Sequence, residues 1–268
     1  MSVITISRGS YTRGKEVAEK VAKELGYECL SRDAILEASK EFNVPEIKLI
    51  RAIHDAPSIL DRIGYKKEKY IAFVRSALLR HFRNDNVVYC GLAGHFFVRD
   101  IPHVLKVRII ADLEERVKNE AEREGISRKQ ALEIIKQDDE ERRKWSLHLY
   151  GIDTSDPSLY DMVIHVGKLS TDDASYIICK TVGLEAFRTT PESQRSMEDL
   201  CIEAEVKAAL MDVDPDVDVT SSRGLVNVYT VALLADGDKL IKDIQAIAGS
   251  IEGVKQVEVH VKPRDVTS

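Results

Sequence analysis

Apolar residues follow two rhythms along this chain, short runs of β-branched residues and longer stretches with a recurrence of three to four, and the two alternate. Val3-Ile4-Thr5-Ile6 is a short strand-like run. After a glycine-containing loop, Val17, Val21 and Leu25 recur four apart, with Gly26 placed to stop the helix as its C′ residue. Further short runs at Val87 to Cys90, Val104 to Ile110 and Met162 to Val166 alternate with helical stretches, which predicts a parallel sheet flanked by helices. Between Asn43 and Asp85, Leu49, Ile53, Ile71, Val74 and Leu78 keep helical spacing around Pro57-Ser58, so a helical insertion is expected there. Asp112 to Lys144 is strongly charged, as a solvated segment or one that handles charged ligands would be. Thr189 to Gln194 has linker composition, and the rhythm changes beyond it. Ile202, Val206, Ala209 and Leu210 share a helix face, Leu225 to Leu234 is strand-like, Leu240, Ile241, Ile244, Ile247 and Ile251 mark a helix, and Val257, Val259 and Val261 alternate. The expected organisation is an α/β domain over residues 1–187, with an insertion at about 43–85 and a further charged segment at about 124–150, a linker at 188–196, and a small α+β domain over 197–268.

Composition narrows the function classes. A net charge of −6 with acidic and basic residues interspersed offers no field to draw in a polyanion, so nucleic acid is not an expected partner. The four cysteines, Cys29, Cys90, Cys179 and Cys201, lie far apart without a C-x-x-C pair; they read as buried thiols in a reducing compartment, not as a zinc site or disulfide framework. Arg8 follows Met1 too closely for the apolar core of a signal peptide, and no run approaches the ~20 residues of a membrane span. The expected setting is the cytoplasm, away from membranes.

The chemistry-bearing motif is Gly9-Ser10-Tyr11-Thr12-Arg13-Gly14-Lys15-Glu16, which fits G-x-x-x-x-G-K between a predicted strand and a predicted helix. Backbone N–H groups of such a loop converge on phosphate oxygens at a helix N-terminus, and the lysine neutralises charge that builds during transfer. The same glycines would also serve a plain strand-to-helix turn with Lys15 solvated, and Tyr11 and Arg13 have no role that spacing assigns. Glu16 stands where many such loops carry the Ser or Thr that holds magnesium, which leaves the metal ligands unknown.

Ser7-Arg8 through Ala18, with a Ser-Arg dipeptide ahead of the glycine-rich loop and a basic–Glu pair after it, resembles the opening of the cytidylate kinase-like family. The similarity continues through Leu30-Ser31-Arg32-Asp33, through His54 to Arg62, and through Asp139 to Gly151 with its Asp-x-x-Arg and closing Tyr-Gly, over roughly residues 1–187. The resemblance implies a P-loop NTPase-like fold in which the loop holds ATP, the helical insertion holds an acceptor nucleotide, and an arginine-rich lid closes over both. It implies magnesium-dependent transfer of the γ-phosphate of ATP to a nucleoside monophosphate, CMP or dCMP being favoured, by positioned cations and exclusion of water. Lys15, Arg116 and Arg142 would supply the cations and Asp139 would orient Arg142 or a nucleotide group. Gly9 to Glu16 would cradle ATP, while Arg32, Asp33, Arg62 and Gly91 would line the acceptor side. Arg143, and less readily Arg142, also fits a Glu–Arg pair on a solvated helix face. His54 and His95 read as structural or rim residues. Two positions depart from the family: its Gly-Arg pair after the third strand is Gly91-Leu92, and its acid at the end of the second strand is Ser31.

Asp199-x-x-Ile202, Val206, Ala209-Leu210, Gly224-x-Val226-x-Val228 and Ile251-x-Gly253-Val254-x-x-Val257 resemble the BON module over about residues 196–263. BON modules are associated with phospholipid or ligand binding, but no polybasic face accompanies this one. A sheet of that size with an exposed strand can hold a small ligand or pair with another copy as a homo-oligomer. Asp212, Asp214, Asp216 and Asp218 alternate without the central Gly and terminal Glu of an EF-hand loop and read as a solvated turn. The kinase reading therefore stands beside two others, a catalytically weak nucleotide-binding regulator in which Leu92 marks a lost acceptor site, and an interaction protein whose loop binds phosphate incidentally.

Overall fold

The computed structural model describes residues 2–8, 11–31, 33–54, 66–232 and 237–263. Gly9, Ser10, Arg32, Arg62 and the Pro57-Ser58 break lie outside the described residues, as do the side chains of Tyr11 and Thr12.

The chain runs β1 (Val3–Arg8), α1 (Tyr11–Leu25), β2 (Glu28–Leu30), α2 (Asp33–Glu41), α3 (Glu46–His54), α4 (Lys66–Phe82), β3 (Val87–Cys90), α5 (Gly94–Phe97), β4 (Val104–Ala111), α6 (Leu113–Glu124), α7 (Arg128–Tyr150), β5 (Met162–Val166) and α8 (Thr171–Val182). The five strands are parallel in the order β2-β3-β1-β4-β5, with Val3 of β1 opposite Val87 of β3 and Val104 of β4. Strands covered on both faces need apolar residues at consecutive positions, which is why β3 is buried throughout. Their alternation sorts the core into two layers. Val3, Val87, Tyr89 and Val104 face α2 to α5 and α7, whereas Ile4, Ile6, Val88, Leu105 and Val107 face α1 and α8. Helix α1 stops where expected, at Gly26 with φ 68°. Capping boxes at Ser127–Gln130 and Ser170–Asp173 satisfy the free N–H groups that start α7 and α8.

The C-terminal part is α9 (Pro191–Leu210), β6 (Asp218–Ser222), β7 (Leu225–Ala232), α10 (Gly237–Gly249) and β8 (Gln256–Pro263). Strand β7 is antiparallel to β6 and parallel to β8. The residues of linker composition are not extended: Thr190 caps α9, Pro191 takes its first position, and Glu192 to Gln194 complete the first turn. Helix α9 is apolar on two sides. Met197, Cys201, Ala204 and Ala208 complete the core under α4, while Ile202, Val206 and Leu210 pack on the three-stranded sheet. Lys69 pairs with Asp212, and Arg80 lies 3.9 Å from Glu205, so charges also tie α4 to this part of the chain. Strand β6 was hidden by its aspartate-rich approach, in which Asp214 accepts hydrogen bonds from the Thr230 hydroxyl and the Asp216 N–H. Cys29 is exposed, unlike the buried Cys90 and Cys201, because β2 is a short edge strand. Among the described residues no helix is long and apolar enough to cross a membrane.

Candidate active site

In an open parallel sheet, ligands bind beyond the carboxyl ends of the strands where the connections change direction. Here β1 sits between β3 and β4, and the carboxyl ends of those three strands meet one cavity. After β3 the chain turns through Gly91-Leu92-Ala93 into α5. The ring of Tyr89 folds under that turn and its hydroxyl donates to the Leu92 carbonyl at 3.0 Å. A Cβ on residue 91 would lie 2.2 Å from the Tyr89 hydroxyl oxygen, so Gly91 is required by packing at this close approach.

The cavity, of about 230 Å³, is walled by Ser7 at the end of β1, Leu92 and His95 around α5, Arg108 on β4, Arg116 on α6, Asp139, Arg142, Arg143 and Trp145 on α7, and Asp153 to Ser155. Four guanidinium groups thus line one cavity, with the carboxylates of Asp139 and Asp153 in the same wall and those of Asp138 and Glu140 beside it, a concentration of donors suited to an anionic ligand that can displace a carboxylate partner. Arg116 donates both terminal nitrogens to Asp139 at 2.8 Å each. Asp139 therefore orients Arg116 and not Arg142, whose guanidinium is 3.9 Å from Asp138. Arg143 is half-exposed and forms a two-pronged pair with Glu140 at 2.9 Å, the helix-surface pairing that spacing allowed. Trp145 donates to the Ala52 carbonyl at 2.7 Å and so fastens α7 to α3.

Arg108 donates to the Thr154 carbonyl and lies 3.3 Å from the Tyr160 hydroxyl, its guanidinium 5.6 Å above the Tyr160 ring. The same hydroxyl is 3.3 Å from His95 Nε2 and 3.3 Å from Ser7 Oγ. Burial, followed by the positive charge of Arg108, pushes the His95 pKa down to about 3, so the imidazole is neutral. His95, read from the sequence as a structural or rim residue, is buried in the cavity wall, and Arg108 is not singled out by the sequence reading. The signal for Arg108 was a cation in the carboxyl half of a strand whose only other charged residue is Lys106.

The phosphate-loop residues are placed differently. Gly14 is buried within α1; Lys15 is 48% exposed, pairs with Glu19 at 3.6 Å and does not line the cavity. Arg13 reaches across to Glu115, the neighbour of Arg116, at 3.0 Å. Glu16 accepts from the Thr171 hydroxyl at 2.6 Å and sits 3.1 Å from Lys20, which also pairs with Asp172. The Thr171 hydrogen bond, with help from Lys20 and Arg13, holds its carboxyl below the usual range. Glu16 thereby clasps α1 to α8, a structural use for the residue that replaces the magnesium-binding Ser or Thr. Among the described residues no three His, Cys, Asp or Glu side chains gather as a metal cluster. Magnesium is commonly held by one or two carboxylates plus substrate phosphates, so the residues present fit it as a partner of bound nucleotide, not as an ion in a protein cage. Asp33 is exposed at the start of α2, accepts from the Ser31 N–H at 3.3 Å and does not line the cavity. Of the expected residues, the fold gathers Arg116, Arg142 and Asp139, brings Gly91 alongside through Leu92, and leaves Lys15 and Asp33 apart.

Residues 3–168 match the profile of the Cytidylate kinase-like family, which takes in all five strands of the parallel sheet. The chain belongs to this family. Among relatives, a cytidylate kinase of Archaeoglobus fulgidus is 29% identical over 194 residues, covering 69% of this chain and 97% of that protein. A cytidylate kinase of Thermococcus kodakarensis is 37% identical over 93 residues, covering 35% of this chain. That match takes in 47% of the Thermococcus protein, so the chain spans about half the length of such relatives. Among solved structures, an uncharacterized protein from Eubacterium ventriosum superposes with a TM-score of 0.51 at 23% identity, over 68% of this chain and 97% of that one, a likeness of fold.

Proposed function

We propose that this member of the family transfers the γ-phosphate of ATP to a nucleoside monophosphate, with CMP or dCMP as the favoured acceptor. The observation that carries this reading is the convergence of Arg108, Arg116 and Arg142 on one cavity at the carboxyl ends of β1, β3 and β4. Phosphoryl transfer asks for little covalent chemistry from the protein and much fixed positive charge. In this reading Gly9 to Glu16 and the N-terminus of α1 cradle the ATP phosphates, with Lys15 as their cation. Arg116, held in place by Asp139, and Arg142 meet the charge that develops on the transferring group. Magnesium, when bound, would supply positive charge to neutralise the nucleotide phosphates. Arg32, Asp33, Arg62 and Gly91 remain the family-implied acceptor side, and Arg108 replaces the guanidinium that the family carries where Leu92 stands.

The alternative, a catalytically weak nucleotide-binding regulator, draws on Leu92 in the cavity wall. Arg108 in the same wall weakens it. We further assign residues 1–187 to the kinase unit and 197–268 to a BON-like module, supported by the helix-strand-strand-helix-strand order of α9 to β8. Leu225, Tyr229 and Val231 on one exposed side of β7 offer that module a surface for ligand binding or self-association. Four free thiols suit a reducing, cytoplasmic setting.

The test is ADP formation from ATP and magnesium across CMP, dCMP, UMP, AMP and GMP. Release stimulated by CMP or dCMP is expected, abolished by Lys15→Ala, lowered about 100-fold or more by Arg116→Ala, and little changed by Arg143→Ala. ATP binding with no stimulation by any acceptor would overturn the kinase reading in favour of the regulator.

A further inference from the structure

A second cavity, of about 300 Å³, opens between α4, α5, the end of α7 and α9, where the sheet of the family fold meets the helix that carries the C-terminal sheet. Its walls are apolar and aromatic, with Phe96, Phe97, Tyr150 and Ala204 among them, and its charged residues are Arg75, Lys207 and Glu68. Arg75 and Lys207 are half-buried, and neither forms an ion pair among the described residues. Arg116 and Arg80, half-buried elsewhere in the molecule, are matched with Asp139 and Glu41, whereas Arg108, which lines the first cavity, has no carboxylate partner among the described residues. Among the described residues Glu68 is the one carboxylate in the wall itself, so the wall carries net positive charge, with Glu203 on α9 within electrostatic reach of Arg75 behind it. A ligand that satisfies this site has an apolar body of one or two rings and one anionic group.

The two cavities share a wall. Phe96 lines both, is stacked on Tyr150 at 4.3 Å and 8°, and lies 5.9 Å from Trp145, which lines the first cavity. A ligand pressing on the Phe96–Tyr150 stack therefore bears on the wall beside Arg142 and His95, through aromatic side chains that are packed too closely to yield independently.

We propose that this junction cavity binds an apolar organic anion and that its occupancy is felt in the first cavity through Phe96. The proposal rests on the kinase reading only for what the first cavity holds. The binding itself is tested without turnover, on the full chain, with 8-anilinonaphthalene-1-sulfonate as the probe. Trp145 is the sole tryptophan, so its quenching by energy transfer to the probe reports proximity to this part of the fold. The expected result is saturable one-to-one binding with Trp145 quenched in step, weakened about tenfold or more by Arg75→Glu and by Lys207→Glu, and abolished by Ala204→Leu, which fills the hollow. Saturating ATP with CMP is expected to shift the probe's Kd by about fivefold or more, since coupling between sites is reciprocal. Ala204 is in the core, so the two charge reversals, at half-buried positions, keep the test open if the leucine variant does not fold. Unchanged affinity in both reversals, with thermal midpoints intact, would overturn the site. An unshifted Kd in an enzyme that turns over would overturn the communication through Phe96. Loss of the kinase reading is a separate event: no acceptor-stimulated ADP release, with probe binding and its sensitivity to both reversals retained, refutes that reading and leaves the site in place.

Discussion

His95 gives the sharpest quantitative consequence of the cavity's construction. The ring is 5% exposed, lies 4.2 Å from the Phe96 ring and tilted 40° to it, and has Arg108 and Lys106 as its charged neighbours. Its pKa is pushed down to about 3 from an ordinary 6.5. A base whose pKa is depressed by folding leaves the native state neutral while the unfolded chain takes up a proton, so the stability it contributes is full above pH 6.5 and is lost as pH falls. Each pH unit between those two values costs about 1.4 kcal/mol. From about pH 7.5 to about pH 5, with titration beginning near 6.5, the loss is about 2 kcal/mol. His95→Gln keeps an amide able to meet the Tyr160 hydroxyl but does not titrate. Urea unfolding followed by Trp145 emission, for both proteins across that range, isolates the term, because the carboxylates and the buried His103, whose pKa burial also lowers, are common to both. The native protein is expected to lose about 2 kcal/mol more than the variant on acidification. Parallel stability curves would refute the reasoning, for they would mean that the native fold admits a charged imidazole beside Arg108.

Two further outcomes follow from packing. Gly91→Ala sets a methyl carbon 2.2 Å from the Tyr89 hydroxyl oxygen and 2.3 Å from the ring carbon that bears it. The ring must move and release the Leu92 carbonyl, at a cost of about 1–3 kcal/mol in unfolding free energy, and an unchanged stability would show that the turn is not set by this contact. Ending the chain at residue 188 removes Met197, Cys201, Ala204 and Ala208 from the core under α4; Met197 and Cys201 are fully buried. At roughly 1.5–3 kcal/mol for a large buried apolar side chain, the deletion costs several kcal/mol and leaves an apolar face exposed. A fragment ending at 188 is expected to aggregate or melt well below one that keeps α9, and equal melting of the two would refute the shared core.

Most of the parallel sheet could be read from the residues because strands buried on both faces are written as unbroken apolar runs. β3 and β5 begin and end where Val87, Cys90, Met162 and Val166 predicted. The start of α9 could not be, since Thr-Thr-Pro-Glu-Ser is equally the composition of a loop and of a capped helix N-terminus; what decides is whether the following helix has somewhere to bury two apolar faces, and that is a tertiary fact. The site divides in the same way. Asp139 and Arg142 are three apart on α7, and the family's Asp-x-x-Arg pattern implies them as partners. In the fold, Arg116 comes from α6, across the α6–α7 hairpin, and presents its planar fork to Asp139 end-on, so that both nitrogens donate at 2.8 Å. A neighbour on the same helix must bend a long side chain along the helix surface to reach the same carboxylate, and gains a few tenths of a kcal/mol for doing so. The bidentate partner wins: Asp139 holds Arg116, and the Arg142 guanidinium lies 3.9 Å from Asp138 one residue earlier on the same helix.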